Sequence, residues 1–154
     1  MRVLLQRVAW AKVEVGGQAV GAIERGLCLL VGIARGDDGA TAEALARKVV
    51  HLRIFEDDAG RMNRSLCDVG GACLVVSQFT LHADTRKGRR PYFGDAEEPE
   101  AANALVEHFA KAVRDEGVAV ETGQFGAMMQ VSLCNDGPVT IMLDSDELAR
   151  PRRG

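Results

Sequence analysis

The run Gly26–Ala34, GLCLLVGIA, admits few folds. Read as a strand it is apolar on both faces, so both faces must be covered. The period changes directly after it. In RGDDGATAEALARKVVHLRIF, Ala42, Leu45, Val49 and Leu52 recur at three- and four-residue steps, with Asp38 or Thr41 placed to start a helix. A second buried run, ACLVVSQFTL, follows the turn-rich connection DDAGRMNRSLCDVGG. Strands that need cover on two faces, interleaved with amphipathic helices, call for layers.

The rest of the chain extends this pattern. RVLLQRV, AKVEVGG and QAVGAIE read as three short strands, with Gly16-Gly17 as a hairpin turn. PEAANALVEHFAKAVRDEG is the clearest helix, opened by Pro99, closed by Gly117 and striped by Leu105, Phe109, Ala112 and Val113. VAVET, MQVSL and VTIML read as strands. Between the last two, Asn135-Asp136-Gly137 suits a hairpin turn, whereas Pro138 lacks the N–H that a ladder needs. The predicted fold class is α/β: one domain over residues 1–145, a β-rich platform of mixed sheets carrying two main helices in α/β/β layers. Residues 146–154, DELARPRRG, are expected to form a flexible tail.

Composition narrows the function. A net charge of −3 argues against a protein that coats nucleic acid through bulk charge. No apolar run approaches the roughly 20 residues needed to span a bilayer, and the N-terminal segment lacks the pattern of a signal peptide. A cytoplasmic protein without a membrane partner is expected. Cys28, Cys67, Cys73 and Cys134 form no CxxC pair and have no histidine at zinc-finger spacing, so buried thiols are expected and no metal or cofactor.

Candidate chemistry is sparse. Ser77, His82 and Asp84 lie close in sequence, but a strand through position 82 would point Ser77 and His82 to opposite sides. No GxSxG elbow surrounds Ser77. GIARGDDG precedes a helix, yet it matches no phosphate-binding fingerprint, and Asp37-Asp38 would repel an anion. His51 and His108 fall at half-exposed helical positions. Two segments carry more information. DTRKGRRPYF gathers Arg86, Lys87, Arg89 and Arg90 beside Tyr92 and Phe93, which reads either as a solvated loop or as a phosphate-binding patch with aromatic faces. VVSQFTLHADT ends a strand with hydroxyl, amide and backbone donors that could stabilise an oxyanion.

SQFTL at 77–81 and NDGPVT at 135–140 resemble the two signature motifs of the D-aminoacyl-tRNA deacylases. MRVLLQRV, LRIFEDDAGRMNRSL, ADTRKGRRPYF and TGQFGAMM fall in that family's order and spacing, covering positions 1 to about 145. Met128 departs from the pattern, which has an aspartate there. The resemblance implies a homodimeric hydrolase that cuts the ester between a D-amino acid, or glycine mischarged on tRNA(Ala), and the 3′-terminal adenosine of tRNA. It implies a reaction site at Ser77, Gln78, Phe79 and Thr80, and substrate contacts from Gly137, Pro138, Phe125 and Arg7. It further implies a cis Gly137–Pro138 bond that enters the partner's site and excludes L-side chains, with the ribose 2′-OH assisting catalysis. Arg86, Lys87, Arg89 and Arg90 would then meet the acceptor stem, and DNA is not an expected partner. Two other readings remain at this stage: a non-enzymatic RNA- or nucleotide-binding dimer, and a serine hydrolase of small esters.

Overall fold

The computed structural model describes residues 1–152. Its centre is a six-stranded mixed sheet built on β1 (Arg2–Val15). On one side, β1 pairs antiparallel with β3 (Gly26–Gly32) along its first half and with β2 (Gln18–Ile23) along its second. On the other side it pairs along nearly its whole length with β8 (Gln130–Asp144). Beyond β3, β6 (Ala72–Ser77) and β7 (Ala119–Thr122) continue the sheet in parallel. Parallel neighbours require crossovers. These are α1 (Gly39–His51), which follows β3, and α3 (Pro99–Asp115), which joins β6 to β7. A short β4–β5 hairpin (Phe55–Glu56, Met62–Arg64) and the single turn α2 (Leu66–Val69) occupy the connection predicted to be turn-rich.

The apolar run GLCLLVGIA is covered on both faces, as its composition requires. Leu27, Leu29 and Val31 point toward the helices, where they meet Val3, Leu5, Val75, Leu45, Val49, Phe109 and Val113. Cys28, one residue out of phase, joins Val8, Ala11, Val13, Ile23, Leu74 and Val76 in a second apolar cluster. This is the period-two alternation of a strand, with a core on each side. Helix starts follow the expected chemistry: Asp38 caps α1 by accepting from the Thr41 N–H at 2.9 Å, and Pro99 lies in the first turn of α3.

Four readings of the sequence are corrected. RVLLQRV and AKVEVGG are one strand, β1, bent where its register with β8 shifts around Arg7. MQVSL and VTIML are likewise one strand, and the chain does not reverse at Asn135–Gly137. Asn135 pairs with Val8 and Thr140 with Gln6, so residues 136–139 bulge out opposite Arg7 alone. The Asn135 side chain bridges the bulge: its Oδ1 accepts from Val139 N–H at 2.7 Å and its Nδ2 donates to Thr140 Oγ1 at 2.9 Å. The amide thus supplies the hydrogen bonds that a reversal would have provided, and both halves stay on β1. Third, ACLVVSQFTL is a strand only to Ser77, and Phe79–His82 form a 3-10 turn. Fourth, only Cys28 and Cys73 are buried; Cys134 is exposed on the edge strand and Cys67 is half-buried. The one-turn α4, Ser145–Leu148, overlaps the start of the segment expected as a tail, and residues 153 and 154 lie outside the described part.

Candidate active site

Ser77 ends β6 at the carboxyl edge of the parallel part of the sheet, where α/β folds place their ligands. It lines a cleft of about 600 Å³ between β6, the segment after β7 and helix α3, with Phe125 on the opposite wall. This volume suits a small organic ligand. Directly after Ser77 the chain turns. Gln78 N–H donates to Val31 C=O at 2.8 Å, which ends the ladder, and Gln78 C=O accepts from Leu81 N–H to close the 3-10 turn. Its side-chain Nε2 donates to Thr80 Oγ1, joining the two side chains. The N–H groups of Phe79 and Thr80 are the first donors of that turn and find no protein acceptor among the described residues. Two adjacent amides beside a hydroxyl and a carboxamide form a donor set suited to developing negative charge on a carbonyl oxygen.

No serine triad assembles here. The His82 ring is buried with its Nε2 2.9 Å from the Gly32 carbonyl. Asp84 accepts from the Arg86 guanidinium and main chain, which hold its carboxyl down to about 2. The other histidines sit in helix-surface pairs, His51 with Glu116 and His108 with Glu43. Among the described residues no cluster of side chains is arranged to hold a metal ion, and no helix is long and apolar enough to cross a membrane.

The basic loop returns to this end of the sheet. Asp84 and Tyr92 exchange backbone hydrogen bonds at 2.7 and 2.9 Å, which bring Phe93 edge-on to Phe79 with ring centroids 5.0 Å apart. Arg86 is engaged by Asp84, while Lys87, Arg89 and Arg90 project from the loop tip.

The bulged loop of β8 is mounted on Arg7. This residue is 6% exposed, and its guanidinium donates to the Ile54 carbonyl at 2.7 Å and the Asp136 carbonyl at 2.8 Å. Above it, the Gly137–Pro138 peptide bond is cis, and both residues are exposed. A Cβ on Gly137 would lie 2.8 Å from Val139 Cγ2, 2.9 Å from Val139 N and 3.2 Å from Arg7 Nη2, at a φ of +148°. Only glycine fits comfortably there.

The family model described as D-Tyr-tRNA(Tyr) deacylase matches residues 4–144. The D-aminoacyl-tRNA deacylase of Thermomicrobium roseum is 66% identical over 148 residues, covering 96% of both chains. That of Thermus aquaticus is 58% identical over 147 residues, covering 96% of this chain and 97% of the other. The chain belongs to the D-aminoacyl-tRNA deacylase family. Members are hydrolases of tRNA ester bonds. Among solved structures, one titled c-Myc DNA unwinding element binding protein superposes with a TM-score of 0.87 at 40% identity, covering 94% of this chain and 98% of that one. A probable eukaryotic D-amino acid tRNA deacylase superposes at 0.79 with 21% identity, covering 92% and 97%, and shares the fold.

The two signature segments of this deacylase fold do not meet within one chain. Ser77 is level with Val31 and Val3, whereas the bulge faces Arg7 from the far side of β1. Three inter-strand steps and four residues along the strand put them roughly 20 Å apart. Phe125 shares the cleft with Ser77, whereas Arg7 lies beneath the bulge, donating to the Ile54 and Asp136 carbonyls. Met128 is 90% exposed and does not line the cleft. Sequence reasoning passed over Asn135 as a bridging residue. The signal was present: an asparagine one turn-length before a Gly-Pro pair can bond its own backbone across the irregularity.

Proposed function

We propose that the protein is a chiral proofreading enzyme, hydrolysing the ester of D-aminoacyl-tRNA and of glycine mischarged on tRNA(Ala) while sparing L-aminoacyl-tRNA. The observation that carries this reading is the separation of the two signature segments. The Phe79 and Thr80 amides have no acceptor in their own chain among the described residues, and the stiffly mounted Gly137–Pro138 stands on the far side of β1 from them. In a homodimer each supplies what the other lacks. The exposed apolar side chains Trp10, Val131 and Met142 on the β1–β8 ribbon favour burial against a second copy.

In this reading the Phe79 and Thr80 N–H groups receive the carbonyl oxygen of the ester. Gln78 and Thr80 side chains orient it. The partner's Gly-Pro carbonyls stand where an L-side chain would project, so rejection works by exclusion and any D-residue passes. Glycine has no side chain to exclude and is cleaved. An aminoacyl ester is already activated, and the substrate's ribose 2′-OH assists water attack, so a histidine base is not required.

Purified protein should release D-tyrosine from D-Tyr-tRNA at least a hundredfold faster than L-tyrosine from L-Tyr-tRNA. Equal rates would refute chiral proofreading, and binding of both without turnover would favour an RNA-binding dimer. Ser77 should resist a fluorophosphonate probe, whereas labelling would indicate a serine hydrolase. Thr80→Ala should slow single-turnover cleavage about tenfold, or about 1.4 kcal/mol of transition-state stabilisation. An unchanged rate would restrict Thr80 to its backbone donor.

A further inference from the structure

Helix α3 turns one polar stripe into the cleft that begins at Ser77. Asn103, Glu107 and Arg114 are spaced by four and seven residues, so they share a face, and all three line the cleft above a floor of Val106 and Ala110. From Asn103 to Arg114 the helix advances about 16 Å, the scale of a short single-stranded run.

The pairing of charges on this helix is uneven. Away from the cleft, Lys111 is held by Asp115 at 2.8 Å and His108 by Glu43 at 2.9 Å. Along the cleft, no side-chain hydrogen bond or ion pair engages Asn103, Glu107 or Arg114 among the described residues. A helix that settles its outer charges and leaves its inner ones open has donors and acceptors to offer a ligand.

The chemistry of that ligand follows from the reaction at the cleft's end. Resting on the functional reading above, the scissile ester is attached to the last ribose of an RNA, so the preceding nucleotides must leave the site along some path. We propose that the cleft along α3 is that path, holding the single-stranded 3′ end upstream of the terminal adenosine. Arg114 contacts a backbone phosphate. Glu107 accepts from an exocyclic amine of a base, and Asn103 reads a neighbouring base edge. Carboxylate acceptance from a cytosine amine and guanidinium pairing with phosphate are the matching interactions. Single-stranded RNA ends, with unstacked bases, are where such edges are accessible.

The test is binding of an uncharged acceptor-stem minihelix with a single-stranded 3′ end, read by fluorescence polarisation over a salt series. Arg114→Gln should raise Kd about tenfold and reduce the salt slope by about one phosphate contact. Glu107→Ala should raise Kd about fivefold for a minihelix with cytidine before the terminal adenosine, and should abolish the preference for cytidine over uridine there. Lys111→Gln, on the outer face, is the control and should leave Kd unchanged. An Arg114→Gln protein with unaltered Kd and salt slope, or a Glu107→Ala protein that still prefers cytidine, would overturn the assignment. Because these readouts need no turnover, they separate it from the functional reading, which the D- against L-Tyr-tRNA comparison decides by itself.

Discussion

A Gly137→Ala protein is expected to lose D-aminoacyl ester cleavage by about a hundredfold while remaining folded. A φ of +148° is costly for any residue with a Cβ, on the order of 1–3 kcal/mol. The added methyl also has nowhere to go. It meets the Val139 side chain and main-chain nitrogen at under 3 Å, and the neighbouring Arg7 guanidinium is fixed by two carbonyls. Relief must come from the exposed side, by shifting residues 136–138 outward. A shift of even 1 Å in a wall built to exclude side chains changes what the opposing site accepts. Single-turnover cleavage of D- and L-Tyr-tRNA measures the effect, with thermal melting to verify the fold. Unchanged D-activity together with unchanged L-rejection would reduce the Gly-Pro pair to a bulge without function.

Removing the mount should be nearly as damaging, and should also cost stability. Arg7→Met keeps most of the aliphatic stem but strips the Ile54 and Asp136 carbonyls of their donor. Leaving the buried Ile54 acceptor unpaired costs about 1–3 kcal/mol. Urea unfolding should show that loss as a lower midpoint with an unchanged slope. D-Tyr-tRNA cleavage should fall at least tenfold under conditions where the variant is still folded. Arg7→Lys, which returns the charge without a fork that reaches both carbonyls, should recover only part of either quantity. Full activity in a folded Arg7→Met protein would show that the loop holds its shape without the guanidinium.

These two residues mark where sequence reasoning succeeds and where it stops. GLCLLVGIA was legible because burial leaves a local trace, an apolar residue at every position; in α3 the trace was partial, since Phe109 and Val113 are buried but Leu105 and Ala112 only half-buried, and Ala102, Val106 and Ala110 complete the buried face. Asp38 and Pro99 were legible for the same reason, since a helix end is satisfied by residues next to it. Asn135-Asp136-Gly137 reads locally as a reversal, yet the ladder runs through it. The local chemistry of a hairpin turn and of a bridged bulge is nearly the same, and the difference lies in β1, more than a hundred residues away, which keeps both halves of β8 in one ladder. SQFTL looks like strand because its apolar spacing continues, but Val31 takes the Gln78 N–H and the chain curls at Phe79. The apolar neighbours of Cys134 suggest burial, but β8 is an edge strand with one open side and the thiol is exposed.

By itself the sequence determined the layered α/β class, the helix ends and, through the resemblance carried by two short segments, the family. Tertiary structure decided how those segments relate. It placed the donors of Ser77–Thr80 at the carboxyl edge of β6, and it carried Gly137–Pro138 to the other side of β1 on a buried arginine. The physical reason is that strand pairing and burial of Arg7 are long-range: their partners are chosen by the whole sheet. A motif can name the residues of a site, but only the sheet determines that they are roughly 20 Å apart in one chain.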